Sequence, residues 1–162
     1  MVCRLPIGCG QPPVSLWTFR EALVAQARAS KRFSRGARGI LVRIGRILWG
    51  SLLENASFSE KTQAQIARSL PPSMRLKATL ELLAGFLRDT SNGVTVHTLD
   101  TDLMLADHAG AGQKEDTAIC MVTLGMLEEA LFWASGHEYD VTEVSCRAAG
   151  SAACEFKVLV SG

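Results

Sequence analysis

Three cysteines and a glutamate in the C-terminal third, Cys120, Glu143, Cys146 and Cys154, are side chains able to bind a metal ion or to form a disulfide. Residues 139–148 and 152–160 alternate in polarity around Ala149-Gly150-Ser151 and read as a β-hairpin. Val144, Cys146, Ala148, Ala152, Cys154, Phe156, Val158 and Val160 share one face, and Ser145, Arg147, Glu155 and Lys157 the other. One side is therefore core and the other faces water. Cys146 and Cys154 both stand four residues from Gly150, which makes them direct cross-strand partners. Such partners carry Cβ atoms about 4.5–5.5 Å apart. Three uses of the pair compete: a disulfide, for which nothing else signals an oxidising compartment; two inert buried thiols; and part of a metal site.

A metal site needs further donors. Cys120 falls in the first turn of an expected helix over 118–134, where the helix dipole favours a thiolate. Glu143 adds an oxygen and would complete a closed tetrahedral S3O set of the kind that holds zinc. Strand parity opposes this. Glu143 precedes Cys146 by three residues, so in a regular strand it points to the opposite face, and it joins the sulfurs only if a bulge intervenes. His137, just past the helix, is the substitute ligand. Cys3 and Cys9 read as free thiols, or as a weak chelating pair.

Periodicity gives the helices and strands that carry these side chains. Residues 17–30 read as an amphipathic helix with Trp17, Leu23, Val24 and Ala27 on its apolar side. A longer helix spans Gly36 to Asn55, with Ile40, Ile44, Ile47, Leu48 and Leu52 on one stripe. Ser57 and Glu60 form a capping box that opens a third helix to about Leu70. Pro71-Pro72 stops it, and Ser73 can cap a fourth through Leu76, Leu80, Leu83 and Leu87 to Asp89. After a turn at Ser91-Asn92-Gly93 the period changes to two, giving strands at 94–100 and 102–107. A polar loop, 108–116, leads to the 118–134 helix, which Gly136 ends. Segregated blocks of helices and strands predict an α+β fold, with helices packed on one face of an antiparallel sheet of about four strands. We expect residues 1–15 to be a loose leader and 16–162 a single domain.

With 162 residues, 48% hydrophobic and 20% charged, the chain has an ordinary globular composition. Nothing in it is long and apolar enough to span a bilayer, and the short Pro/Gly-rich start does not fit a signal peptide, which points to a cytoplasmic protein. The charges are sorted: residues 1–81 carry 13 Lys/Arg against 4 Asp/Glu, and residues 82–162 carry 4 against 12. The run Arg28, Lys31, Arg32, Arg35, Arg38, Arg43 and Arg46 contains no acid. It could meet phosphates or an anionic membrane, or simply be a solvated face that complements the acidic half. No nucleic-acid-reading motif accompanies it.

The run Cys120 to Gly125, the helix-ending Gly136, and the stretch Glu143-Val144-Ser145-Cys146 to Gly150 and Cys154-Glu155-Phe156 resemble the C-terminal signature of the 4-vinyl reductase (hydrocarbon-binding) domain family. That family includes bacteriochlorophyll-biosynthesis 4-vinyl reductase proteins and sensor domains of phenol- and xylene-responsive activators, and it shares its fold with TRAPP subunits. The match covers the last 45 residues, and residues 39–50 fit a Gly-containing core helix loosely. The resemblance implies a structural zinc on Cys120, Glu143, Cys146 and Cys154, since three cysteines and a glutamate hold zinc in the phenol sensors. It also implies a pocket for an apolar or aromatic molecule, and a homodimer. His97 is the candidate polar handle, and Phe132 and Trp133 are candidate aromatic walls; the plain alternatives are a solvent-facing sheet histidine and ordinary core.

The chain lacks the equipment for hydride delivery: no GxGxxG follows a strand, and GxSxG, SxxK and HExxH are absent. The expectation is therefore a carrier or sensor for a small hydrophobic ligand, with a tetrapyrrole-pathway intermediate as the first guess. The alternatives are a TRAPP-like scaffolding module, or a 4-vinyl reductase component whose cofactor comes from a partner subunit.

Overall fold

The architecture follows from one helix that is apolar on nearly every side. The computed structural model describes residues 37–90, 94–107 and 117–159. The leader 1–15, the 17–30 helix, the turn at 91–93, the 108–116 loop, and Cys3 and Cys9 lie outside the described residues. Helices α1 (Ala37–Asn55), α2 (Phe58–Ser69) and α3 (Pro72–Thr90) precede strands β1 (Val94–Leu99) and β2 (Asp102–Asp107). Helix α4 (Thr117–Ser135), β3 (Asp140–Ser145), a 3-10 turn (Arg147–Ala149) and β4 (Cys154–Leu159) complete the order. The four strands form one antiparallel sheet in the order β1-β2-β4-β3. The fold is thus α+β.

Along the sheet, burial alternates. Val96, Leu103, Phe156 and Val158 are buried with the helices, while His97, Leu99, Thr142 and Lys157 are exposed on the far side. In α4, Val122, Met126, Leu127, Ala130 and Leu131 are all fully buried, so this helix fills the centre of the core. Its end is set by Gly136 at φ 75°, whose N–H reaches the Phe132 carbonyl at 2.7 Å.

Helix α1 packs chiefly on α4, and its buried face differs from the predicted stripe. Leu41, Gly45, Leu48, Trp49 and Leu52 are buried, whereas Ile40 and Ile47 are 52% and 61% exposed. Apolar residues run round most of α1, so period alone could not select the face; the closest approach to α4 did. A Cβ on Gly45 would overlap the Val122 carbonyl oxygen, and one on Gly125 would overlap the Val42 carbonyl oxygen. The two backbones meet at this crossing with no side chain between them. Beside it, Arg46 Nη2 and Nε contact Glu128 Oε2 at 2.9 and 3.2 Å. Trp49, buried next to the crossing, meets Phe86 and Trp133 edge to face with ring centroids 5.9 and 5.7 Å apart.

The capping box holds as expected: Ser57 N–H donates to Glu60 Oε2 at 2.6 Å, and Glu60 N–H to Ser57 Oγ at 3.3 Å. Helix α3, however, begins at Pro72 and is not capped by Ser73. Proline needs no N–H partner in a first turn, and the Pro71 carbonyl accepts from the Met74 and Arg75 amides at 2.9 and 3.0 Å. The terminal hairpin is also shorter than the 139–148 and 152–160 reading. The Cys146 carbonyl takes the Ala149 and Ser151 amides at 3.0 and 3.1 Å, which winds 147–149 into a 3-10 turn and ends the ladder.

Gly125→Ala should therefore destabilise the fold by about 3 kcal/mol, because the obstacle is main chain. That corresponds to a fall in Tm of roughly 6–12 °C for a chain of this size. Gly50→Ala, which meets nothing within 4 Å on exposed α1, should instead hold or raise Tm. Thermal unfolding of both variants checks the pair.

Candidate metal centre

Four side chains converge where the first turn of α4 meets the terminal hairpin. One donor atom from each of Cys120, Glu143, Cys146 and Cys154 lies within 4.8 Å of the other three. Cys120 Sγ is 3.5 Å from Cys154 Sγ and 3.6 Å from Cys146 Sγ. No disulfide joins them.

The parity objection to Glu143 is removed by a bulge. Glu143 pairs with Phe156, but Ser145 pairs with Glu155, so two steps on β3 oppose one on β4. Before the irregularity Glu143 lies level with Phe156 on the buried face; after it, Cys146 comes opposite Cys154. The extra residue is Val144, and it is 53% exposed. Its expected place in the apolar face is thus wrong, and the bulge is the reason. His137, the substitute ligand, is exposed beyond the end of α4 and takes no part in the cluster.

The donors fit a small dication. Zinc–sulfur bonds of about 2.3 Å in tetrahedral geometry place sulfurs about 3.8 Å apart, close to the observed separations. One carboxylate oxygen, Glu143 Oε1, is buried without any hydrogen bond; such an orphan is costly unless something positive faces it. The Arg147 N–H points at Cys154 Sγ from 3.4 Å, and the Ala148 and Ala149 amides act on the Cys146 sulfur and favour its thiolate. With no ion present, the cluster opposes its own ionisation. The Cys154 thiol, then burial, then the Glu143 carboxyl all raise the Cys120 pKa. Burial, followed by Glu143, raises that of Cys146. A bound cation reverses this balance, because thiolates are what it binds.

The three candidate ligand-pocket residues are not brought together. His97 is exposed on the sheet face away from the helices, opposite Met104 on β2. Phe132 is exposed on α4. Trp133 is half-buried against Trp49, with the Arg68 guanidinium 5.4 Å above its ring. Two features escaped the sequence reading. Trp49 Nε1 is a buried donor with no partner, signalled only by a tryptophan on a helix whose buried face was misassigned. A cavity of about 90 Å³ also lies between the start of α3, the end of α4 and Tyr139; it draws its lining from segments far apart in sequence, which no local pattern signals.

No protein-family model matches this sequence, and no curated protein does.

The raised Cys120 and Cys146 values fix the sign of a pH dependence. In the metal-free protein the folded state holds these protons more tightly than the unfolded chain. Their contribution is complete below the ordinary thiol value of about 8.5 and is lost as pH rises beyond it toward the folded-state values. Chelator-treated protein should therefore lose stability as pH rises above about 8.5. Metal-loaded protein should lose it in the other direction, on acidification, as protons displace the ion. Urea midpoints with EDTA above the ordinary thiol value, and without EDTA on acidification below neutrality, test the two signs.

Proposed function

We propose that the chain is a small-molecule-binding domain, a carrier or sensor, whose fold is fastened by a structural zinc ion on Cys120, Glu143, Cys146 and Cys154. The convergence of three sulfurs and one buried carboxylate oxygen within 4.8 Å carries this reading. Thiolate-rich tetrahedral sites select zinc among the common divalent ions. Four protein donors leave no open coordination position, so the ion ties elements together and activates no substrate. The resemblance to the 4-vinyl reductase family supports the same ligand set and suggests an apolar or aromatic cargo and a dimer.

A tetrapyrrole intermediate of bacteriochlorophyll biosynthesis is the first cargo to test from that resemblance. It is several times larger than the 90 Å³ cavity, so it would have to be held by an open surface or by residues outside the described ones. One observation favours the rival reading, an assembly module: exposed Ile40 and Ile47 lie on α1 beside the exposed Arg38 and Arg43, an apolar and basic face suited to a protein or membrane partner. A 4-vinyl reductase component would need its cofactor from another subunit.

Purified protein should contain about one zinc per chain. Cys120→Ser should lose the metal and a large share of the stability, since structural zinc contributes on the order of 10 kcal/mol in small zinc-dependent domains. Glu143→Ala should lose less. Elemental analysis and thermal unfolding of both variants read this out, and zinc content unchanged in both sinks the assignment. Native mass spectrometry then separates the classes: a co-purifying apolar molecule supports the carrier, a metal-only dimer the scaffold.

A further inference from the structure

The cavity at the end of α4 is lined on one side by Leu76, Leu131 and Ala134, and its polar lining comes from Arg75, Tyr139 and His137. Two other polar side chains in the wall are already committed. Thr79 Oγ1 donates to the Arg75 carbonyl at 2.8 Å. Ser135 Oγ donates to the Leu131 carbonyl at 2.7 Å and accepts the His137 amide at 3.0 Å.

Arg75 is the unusual member. It is half-buried, and its Nε and Nη2 both grip the Leu70 carbonyl, at 3.0 and 2.8 Å. That carbonyl belongs to the residue ending α2, at the rigid Pro71-Pro72 corner, so the guanidinium is held in one position with its Nη1 donors left over. Among the described residues no carboxylate forms an ion pair with it. A half-buried guanidinium held in place, with donors uncommitted and no counter-ion among the described residues, is a ready partner for an anion. Guanidinium planes pair best with carboxylates, through parallel N–H···O bonds.

We infer that this cavity is a binding site for a small carboxylic acid with a compact apolar body, its carboxylate on Arg75 and its body against Leu76, Leu131 and Ala134. This rests on the reading of the chain as a small-molecule carrier or sensor, and it names the place and the ligand class. Size limits the enclosed body to a short branched chain, or to one ring that reaches out of the open side: an apolar cavity of about 150 Å³ encloses benzene, and this one, partly open, has 90 Å³. Leu76, Leu131 and Ala134 offer inorganic phosphate or sulfate no hydrogen bond, whereas they give an apolar body a surface to cover. Tyr139 and the exposed His137 supply the remaining polar contacts.

Benzoate is the probe, benzamide its uncharged isostere, and calorimetric titration of the zinc-loaded full chain the measurement. Benzoate should bind one site per chain, and benzamide about tenfold more weakly, the worth of one charge-assisted hydrogen bond. Arg75→Gln should lose benzoate affinity by at least about that factor and leave benzamide nearly unchanged. Because Arg75 also fastens the α2–α3 corner, Ala134→Leu serves as a second variant: it fills the cavity from α4 and should abolish both probes while zinc content and Tm are retained. Equal affinity for the two probes, or benzoate binding indifferent to both variants, overturns the assignment. If folded, zinc-loaded protein binds no benzoate yet carries an apolar molecule in native mass spectrometry, the acid site fails and the carrier reading survives. If both are absent, both fail.

Discussion

The tie between the first turn of α4 and the terminal hairpin depends on the extra residue that β3 carries between Glu143 and Ser145. Strand side chains alternate strictly, so without that residue Glu143 would face water and the cluster would offer three sulfurs and no fourth donor. With it, Val144 is expelled to the surface and the carboxylate turns inward beside the sulfurs. The displaced valine is a modest loss of buried apolar area; the gain is a fourth donor. Local irregularity of this kind persists where the neighbourhood requires it.

The cluster is unfavourable as an empty arrangement. The Cys120 thiol, whose ionisation the Cys154 thiol and burial suppress, the Cys146 thiol, whose ionisation burial suppresses, and a carboxylate oxygen with no donor add little cohesion of their own. Yet the amides of Arg147, Ala148 and Ala149 are directed at sulfur, an arrangement that favours the charged form. The corner is thus organised around thiolates which its surroundings alone do not sustain. A positively charged occupant resolves that contradiction, and the 3-10 turn that shortens the hairpin is the same turn that aims the amides.

Elements with a strong local signal were legible in the sequence. The capping box at Ser57 and Glu60, the glycine stop at Gly136 and the period change at Val94 were read correctly, because each depends on neighbours in the chain; the four side chains expected to converge, Cys120, Glu143, Cys146 and Cys154, do lie together. Even the need for a bulge followed from counting residues between Glu143 and Cys146. What the sequence did not reveal was decided by distant parts. The buried face of α1 was chosen by α4, so Ile40 and Ile47, apolar as they are, ended outside. The start of α3 is the local exception: Pro72 rather than Ser73 opens it, because the adjacent Pro71 carbonyl takes the first amides. His97 sits on the side of the sheet that none of the described helices covers, and the Arg75 cavity exists only once α3 and α4 are laid side by side.

The meeting of Gly45 with Gly125 has an evolutionary consequence. Most tight contacts between side chains can drift, since a larger residue on one helix is offset by a smaller one on the other. Here each glycine confronts a carbonyl of the opposite helix, and no substitution shrinks a carbonyl. The two positions cannot trade volume and so cannot covary; each is locked by itself for as long as the helices keep this distance.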